Sequence, residues 1–192
     1  MKIICCYSKE PHPKTLEAIA LFAPQTEFVK TEGLFGYGEA IASRWQIDDL
    51  AVIEGDKEIN AEVIPSFTEC NEPWCTFSCQ TLPEPYTKVT VNGLGCARFT
   101  IELQTITSPS EFICRDPDWL PCRHCNSQGC WNQLDIRMAM AFDRHGIHSP
   151  HVHGQVKHHH EYGLAWWAEW RKDWDYIMDV DARVKEIRER HA

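Results

Sequence analysis

Three carboxylates stand at alternate positions within the stretch Asp48 to Phe67: Glu54, Asp56 and Glu58. They follow directly on Leu50, Ala51, Val52 and Ile53, an apolar run long enough for one buried strand and too short for a helix. Continued as extended backbone, that strand would turn all three acids to one face. Carboxylates clustered where a buried strand ends are how an open α/β sheet presents a divalent cation at its carboxyl edge. Hard oxygen ligands select Mg2+ or Mn2+, ions that bridge phosphates. The same spacing also admits a plainer reading, a strand running into a solvated acidic turn.

Histidines and cysteines supply the other candidate ligands. His145, His148, His151, His153, His158, His159 and His160 fall close together near the end of the chain. In an extended strand His151 and His153 share one face, and His158 and His160 share one. One imidazole of this segment is expected to join Asp56 at a metal, His158 ahead of His160; a solvated polar strand end is the competing reading. Cys114, Cys122, Cys125 and Cys130, with His124 among them, lie in a segment, 108–130, rich in turn formers and poor in periodicity. Four soft ligands there would suit a structural Zn2+, against buried thiols or an occasional disulfide. Cys5, Cys6, Cys70, Cys75, Cys79 and Cys96 sit in or beside apolar segments and read as small core hydrophobes. Asp135 opens an amphipathic helix expected over Trp131 to His145, as a first-turn acid on the helix dipole or as a catalytic base.

These residues need elements to position them. Lys2 to Tyr7 reads as a first strand, Thr15 to Phe22 as a helix with Pro13 at its start, and Thr26 to Thr31 as a second strand. Tyr37 to Trp45 reads as a second helix leading into the Leu50 strand. That alternation predicts parallel strands joined by right-handed crossovers. Further on, Val63 to Phe67 and Ile101 to Ile106 read as short helices, and Trp74 to Ser78 and Val152 to Val156 as strands. Leu164 to Arg190 closes the chain as a helix whose Trp166, Trp170, Trp174 and Ile177 form a stripe. That stripe is expected to pack on the domain, with a homodimer seam or an acceptor platform as alternatives.

Composition bounds the class. A chain of 192 residues, 43% hydrophobic and 24% charged, fits one globular domain with a real core. The net charge of −9 disfavours broad contact with a nucleic-acid backbone and leaves room for a local basic groove. No run approaches the roughly 18 apolar residues of a membrane span, and the apolar start is too short for a secretory signal. A cytoplasmic chain with reduced cysteines is the expectation.

The passage GYGEAIASRW followed by DDLAVIEGD resembles the glycosyltransferases of GT-A fold, closest to the family-2-like group, with Glu54 and Asp56 at the two acidic positions of an Asp-x-Asp-type motif. NGLGCARF is similar to the glycine-containing segment before that family's acceptor region. In WNQLDIRMAMAFDRHG, Asp135 matches the candidate base, with Arg137 and Gly146 in place, and VHGQVKHHHEYG is similar to the final strand and its metal-binding histidine. The resemblance spans roughly residues 1–163. It implies an α/β fold: a single GT-A-like domain with a Rossmann-like, mostly parallel central sheet, flanking helices, and a C-terminal helix over 164–192. It implies a nucleotide-diphosphate sugar donor gripped near Tyr7, Ser8, Glu54 and Asp56, and Mn2+ or Mg2+ on Asp56 with His158 or His160. Transfer to an acceptor hydroxyl would be inverting, with Asp135 as the base, and the acceptor a small molecule, a protein or a modified nucleic acid. The sequence departs from the family in Glu54, where an Asp is usual, and in Leu134, which stands where a second acid would pair with Asp135. A non-catalytic relative, keeping the sheet as a zinc-binding or interaction scaffold, is the alternative; a metal-dependent hydrolase is a third.

Overall fold

The computed structural model describes residues 1–8, 10–32, 36–80, 90–91, 94–113 and 134–159. The chain opens with β1 (Lys2–Tyr7), α1 (Pro13–Phe22), β2 (Glu27–Lys30), α2 (Gly36–Ala42) and β3 (Leu50–Glu54). It continues through β4 (Lys57–Glu58), α3 (Val63–Glu69), β5 (Trp74–Gln80), β6 (Thr90–Val91) and β7 (Cys96–Phe99). After α4 (Ile101–Ile106) and a 3-10 turn at Pro109–Glu111 come α5 (Leu134–Arg144) and β8 (His151–His158). Local chemistry sets several of these limits. His12 caps α1 by accepting from the Lys14 amide, and Pro13 fills the first turn, where no amide donor is needed. Thr100 caps α4 by accepting from the Leu103 amide, and Ser108 and Glu111 form a reciprocal capping box on the 3-10 turn.

Period-two burial builds a three-layer molecule. On β1, Ile3 and Cys5 face one core with Ala18 and Ile19 of α1 and Val63 and Phe67 of α3. Ile4 and Cys6 face the other, with Ile41 of α2, Leu103 of α4, and Met138 and Phe142 of α5. Leu50 and Val52 of β3 join the second core, while Ala51 and Ile53 join the first. A strand apolar on both sides requires cover on both faces, and the helices supply it. The second core is an aromatic nest: Trp45 meets Phe112 edge-on with ring centroids 5.1 Å apart, and Trp74 meets Phe142 edge-on at 5.2 Å. Each indole N–H is satisfied, Trp45 donating to the Thr107 carbonyl and Trp74 to that of His148.

The sheet runs in the order β2-β1-β3-β7-β5-β8-β4, with β6 paired to β5. Strands β1, β2 and β3 are mutually parallel, as the opening alternation predicts. The expectation of a mostly parallel, Rossmann-like sheet needs correction. β7 runs antiparallel to both β3 and β5, and β4 runs antiparallel to β8, so the sheet is mixed. The reason lies in the connections. Helical crossovers return the chain parallel through β3, but β6 pairs antiparallel with β5, and β7 pairs with β5 and β3 in the reverse sense. β5 and β8 restore a parallel pair, with a register shift at Thr76 and Phe77. No helix among the described residues is long and apolar enough to cross a membrane. The expected helix at 164–192 lies outside the described residues.

Candidate functional site

Glu54 ends β3, and the chain turns at Gly55 and Asp56 before Lys57 and Glu58 pair with the end of β8. The turn breaks the alternation read from the sequence. Glu54 and Asp56 converge, but Glu58 does not join them; its carboxylate meets His159 Nε2 at 2.7 Å. What draws the first two together is Lys57, which the sequence reading missed. Its Nζ lies 2.8 Å from Glu54 Oε2 and 2.8 Å from Asp56 Oδ1, and its side chain is only 2% exposed. A lysine is seldom buried unless paired, and nothing in its spacing marks this one apart. Burial works against its charge, yet the two carboxylates hold its ammonium above the usual lysine range.

Asp56 Oδ2 meets His158 Nε2 at 2.8 Å, across 102 positions of sequence. The pairing of Lys57 with His158 across the β4–β8 ladder makes this contact, and the His159 amide donates to the Asp56 carbonyl beside it. Burial opposes ionisation of Asp56, but the His158 hydrogen bond and the Lys57 ammonium hold its carboxyl well below the usual range. His159 stacks on His12 with ring centroids 3.9 Å apart, fastening the start of α1 to the end of β8.

Two glycines let this cluster close. A Cβ on Gly55 would lie 2.7 Å from Tyr7 Cβ, and the Gly55 amide donates to the Cys6 carbonyl. Tyr7 therefore ends β1 directly against the Asp56 turn, and exposed Ser8 follows it. A Cβ on Gly95 would lie 2.6 Å from Lys57 Cε and 3.0 Å from Glu54 Oε2. The backbone before β7 thus packs on the ion pair itself, and its carbonyl accepts from the Glu54 amide.

Asp135 stands in the first turn of α5, partly buried. Burial pushes its carboxyl up to about 6, and the negative charge of Glu54 adds to the rise, while the Ile136 amide opposes it. Tyr37 of α2 donates to the Leu94 carbonyl, and burial with the charges of Glu54 and Asp56 pushes its phenol up. Glu54, Asp56 and His158 therefore gather at the ends of β3 and β8, and Asp135 and Tyr37 lie within the field of the Glu54 charge. His145 and His148 do not; they pair with Glu111 and Asp143 at the far end of α5. His160 and the cysteines Cys114, Cys122, Cys125 and Cys130 lie outside the described residues.

At the opposite edge, Cys70, Cys75 and His153 place their ligand atoms within 4.8 Å of one another. Reading Cys70 and Cys75 as core hydrophobes could not have found this, because His153 is brought to them by the β5–β8 pairing.

No family model matches the chain, and no curated protein matches it. Among solved structures, one that it resembles is the crystal structure of a glycosyltransferase involved in the glycosylation of the major capsid of PBCV-1. The identity is 13% and the TM-score 0.46, over 90% of this chain and 99% of that one. A likeness at that level shows neither family nor activity.

Proposed function

We propose that the chain is a metal-dependent glycosyltransferase that moves a sugar from a nucleotide-diphosphate donor to an acceptor hydroxyl. The observation that carries this reading is the contact of Asp56 with His158 at 2.8 Å, at the carboxyl ends of β3 and β8 and with Asp135 in the same field. An ion with octahedral ligands about 2.1 Å away sets adjacent ligand atoms about 3 Å apart, so Asp56 Oδ2 and His158 Nε2 fit as neighbours on one cation. Bound there, Mn2+ or Mg2+ would neutralise charge on the departing diphosphate. Lys57 keeps the other Asp56 oxygen and Glu54 in place, so it positions the acids without reaching the substrate. Tyr7 and Ser8, beside the Asp56 turn, would line the nucleotide, with Glu54 towards its ribose or a metal-bound water.

Asp135 takes the proton. The acceptor oxygen forms its bond to the anomeric carbon from the face opposite the donor phosphate, and the carbon–phosphate oxygen bond breaks with its electron pair leaving on the diphosphate. The acceptor proton passes to the Asp135 carboxylate, and attack from the opposite face inverts the anomeric centre. A carboxyl at about 6 is mostly ionised at neutral pH and a stronger base than an ordinary aspartate.

Thermal unfolding with UDP, GDP, CDP or ADP, each with Mn2+, Mg2+ or chelator, tests the donor site. Binding to the native state alone stabilises it by about 2.7 kcal/mol at a hundredfold excess over the dissociation constant. One nucleotide should raise the melting temperature with metal, and His158→Ala should abolish the rise. Failure of every nucleotide to stabilise the folded chain, together with no cleavage of any matching nucleotide-sugar, would sink the proposal.

A further inference from the structure

We propose that Cys70, Cys75 and His153 form a zinc site at the edge of the sheet opposite the transferase site. Cys70 caps the C-terminus of α3, Cys75 follows the first residue of β5, and His153 lies at the register shift of β8. Their ligand atoms, two Sγ and one imidazole nitrogen, all lie within 4.8 Å of one another. Zinc holds thiolate sulfur at about 2.3 Å and imidazole nitrogen at about 2.0 Å in a tetrahedron, which sets ligand atoms about 3.5 Å apart. Closing the group onto an ion therefore asks for about 1 Å of side-chain movement.

Three independent features suit a borderline-soft cation. His153 Nε2 is buried with no hydrogen-bond partner, a lone pair or N–H left over in a polar site. The ring is held from both sides, stacked on Phe77 at 5.5 Å and edge-on to Phe67 at 6.3 Å, so its orientation is fixed in advance. Both cysteines are free of disulfides. Arg98, anchored by Asp49 at 2.9 Å and by the carbonyls of Cys70 and Glu72, holds a fixed positive charge near Cys75.

On binding, the two thiols release their protons to solvent and two thiolates neutralise the ion's two charges, so no net charge is buried. The fourth position takes water, as in zinc sites with three protein ligands. The ion would tie the end of α3 to the starts of β5 and β8. It would not touch donor or acceptor, because His158 lies at the other end of β8 from His153.

The test is zinc content of the full chain after purification and dialysis, read by elemental mass spectrometry. His153→Phe keeps a ring between Phe67 and Phe77, and Cys70→Ser keeps the size of the residue. Each should lose one zinc equivalent against the wild type, and the double variant should lose no more than one. Co2+ exchanged into the wild type should give a thiolate-to-cobalt absorption band that weakens in both variants. Should a variant fail to fold, alkylation of the wild-type chain decides: zinc should protect Cys70 and Cys75, mapped by peptide mass spectrometry. Undiminished zinc in the folded variants, labelling of the two thiols indifferent to zinc, or their recovery as a disulfide that zinc cannot prevent would each overturn the site. None of these readouts depends on transferase activity.

Discussion

Asp135 is held in two opposed ways by one environment. Its folded-state value of about 6 lies above the ordinary 3.8, so ionising it in the native state costs stability. That penalty is absent at acid pH, grows as pH rises from the ordinary value to about 6, and is constant above. Asp135→Asn should therefore stabilise the chain at neutral pH, by on the order of 1–2 kcal/mol once partial exposure is allowed for, and have little effect at acid pH. Urea unfolding at both pH values checks the sign. The same substitution should lower the transfer rate by about 10²–10⁴-fold, and the wild-type rate should fall below about pH 6. Lys57 has the opposite profile. Replacing it in Lys57→Met leaves Glu54 and Asp56 facing each other without the ammonium, at a cost of about 1–3 kcal/mol because both carboxylates are partly solvated. Asp56 is depressed in the wild type, so its contribution is present above the ordinary carboxylate value and lost as pH falls through the depressed one. The stability gap between wild type and Lys57→Met should be wide at neutral pH and narrow towards acid.

The turn between β3 and β4 is the element on which the acid cluster depends. Gly55→Ala would set a Cβ 2.7 Å from Tyr7 Cβ, an atom tied to the β1 backbone and unable to swing aside. Overpacking of that kind costs about 1–3 kcal/mol, and because Asp56 is the next residue the nucleotide-induced rise in melting temperature should shrink as well. Differential scanning fluorimetry with and without nucleotide reads both. The same turn shows what the sequence could and could not carry. Leu50 to Ile53 declared a buried strand by composition, and the apolar spacing in α1 and α5 declared helices. The two-residue β4 has no periodicity to detect, so the acids appeared to continue one strand. Nothing in the spacing sets Lys57 apart from a solvated lysine. Asp56 and His158 were each legible as candidates, but their contact is a product of the β4–β8 pairing and of nothing local. The reversal of β7 was invisible for the same reason, since an apolar strand reads alike in either direction.

Across the whole molecule, the two core layers set cooperativity. Phe142 is fully buried and touches Trp45, Trp74 and Phe99, rings contributed by the α2 end, β5 and β7. Phe142→Ala should cost about 3–5 kcal/mol by the cavity it leaves, measured by urea unfolding. Cys5, Cys6 and Cys96 are buried in these layers, and burial pushes the thiols of Cys5 and Cys6 up to about 12. Their alkylation should follow global opening, and Phe142→Ala should speed it in proportion to the lost stability. The position of β8 in the sheet governs how the molecule is made. β5 is interior only once β8 has paired along it, and β8 is the last described strand to leave the ribosome. Until then a nascent chain carries β5 as an open edge lined by Phe77 and three neighbouring apolar or thiol side chains, the kind of edge that other chains join. Asp56 waits for His158 through the same interval, so a chain stalled before that strand would be exposed to aggregation while still unable to bind a donor.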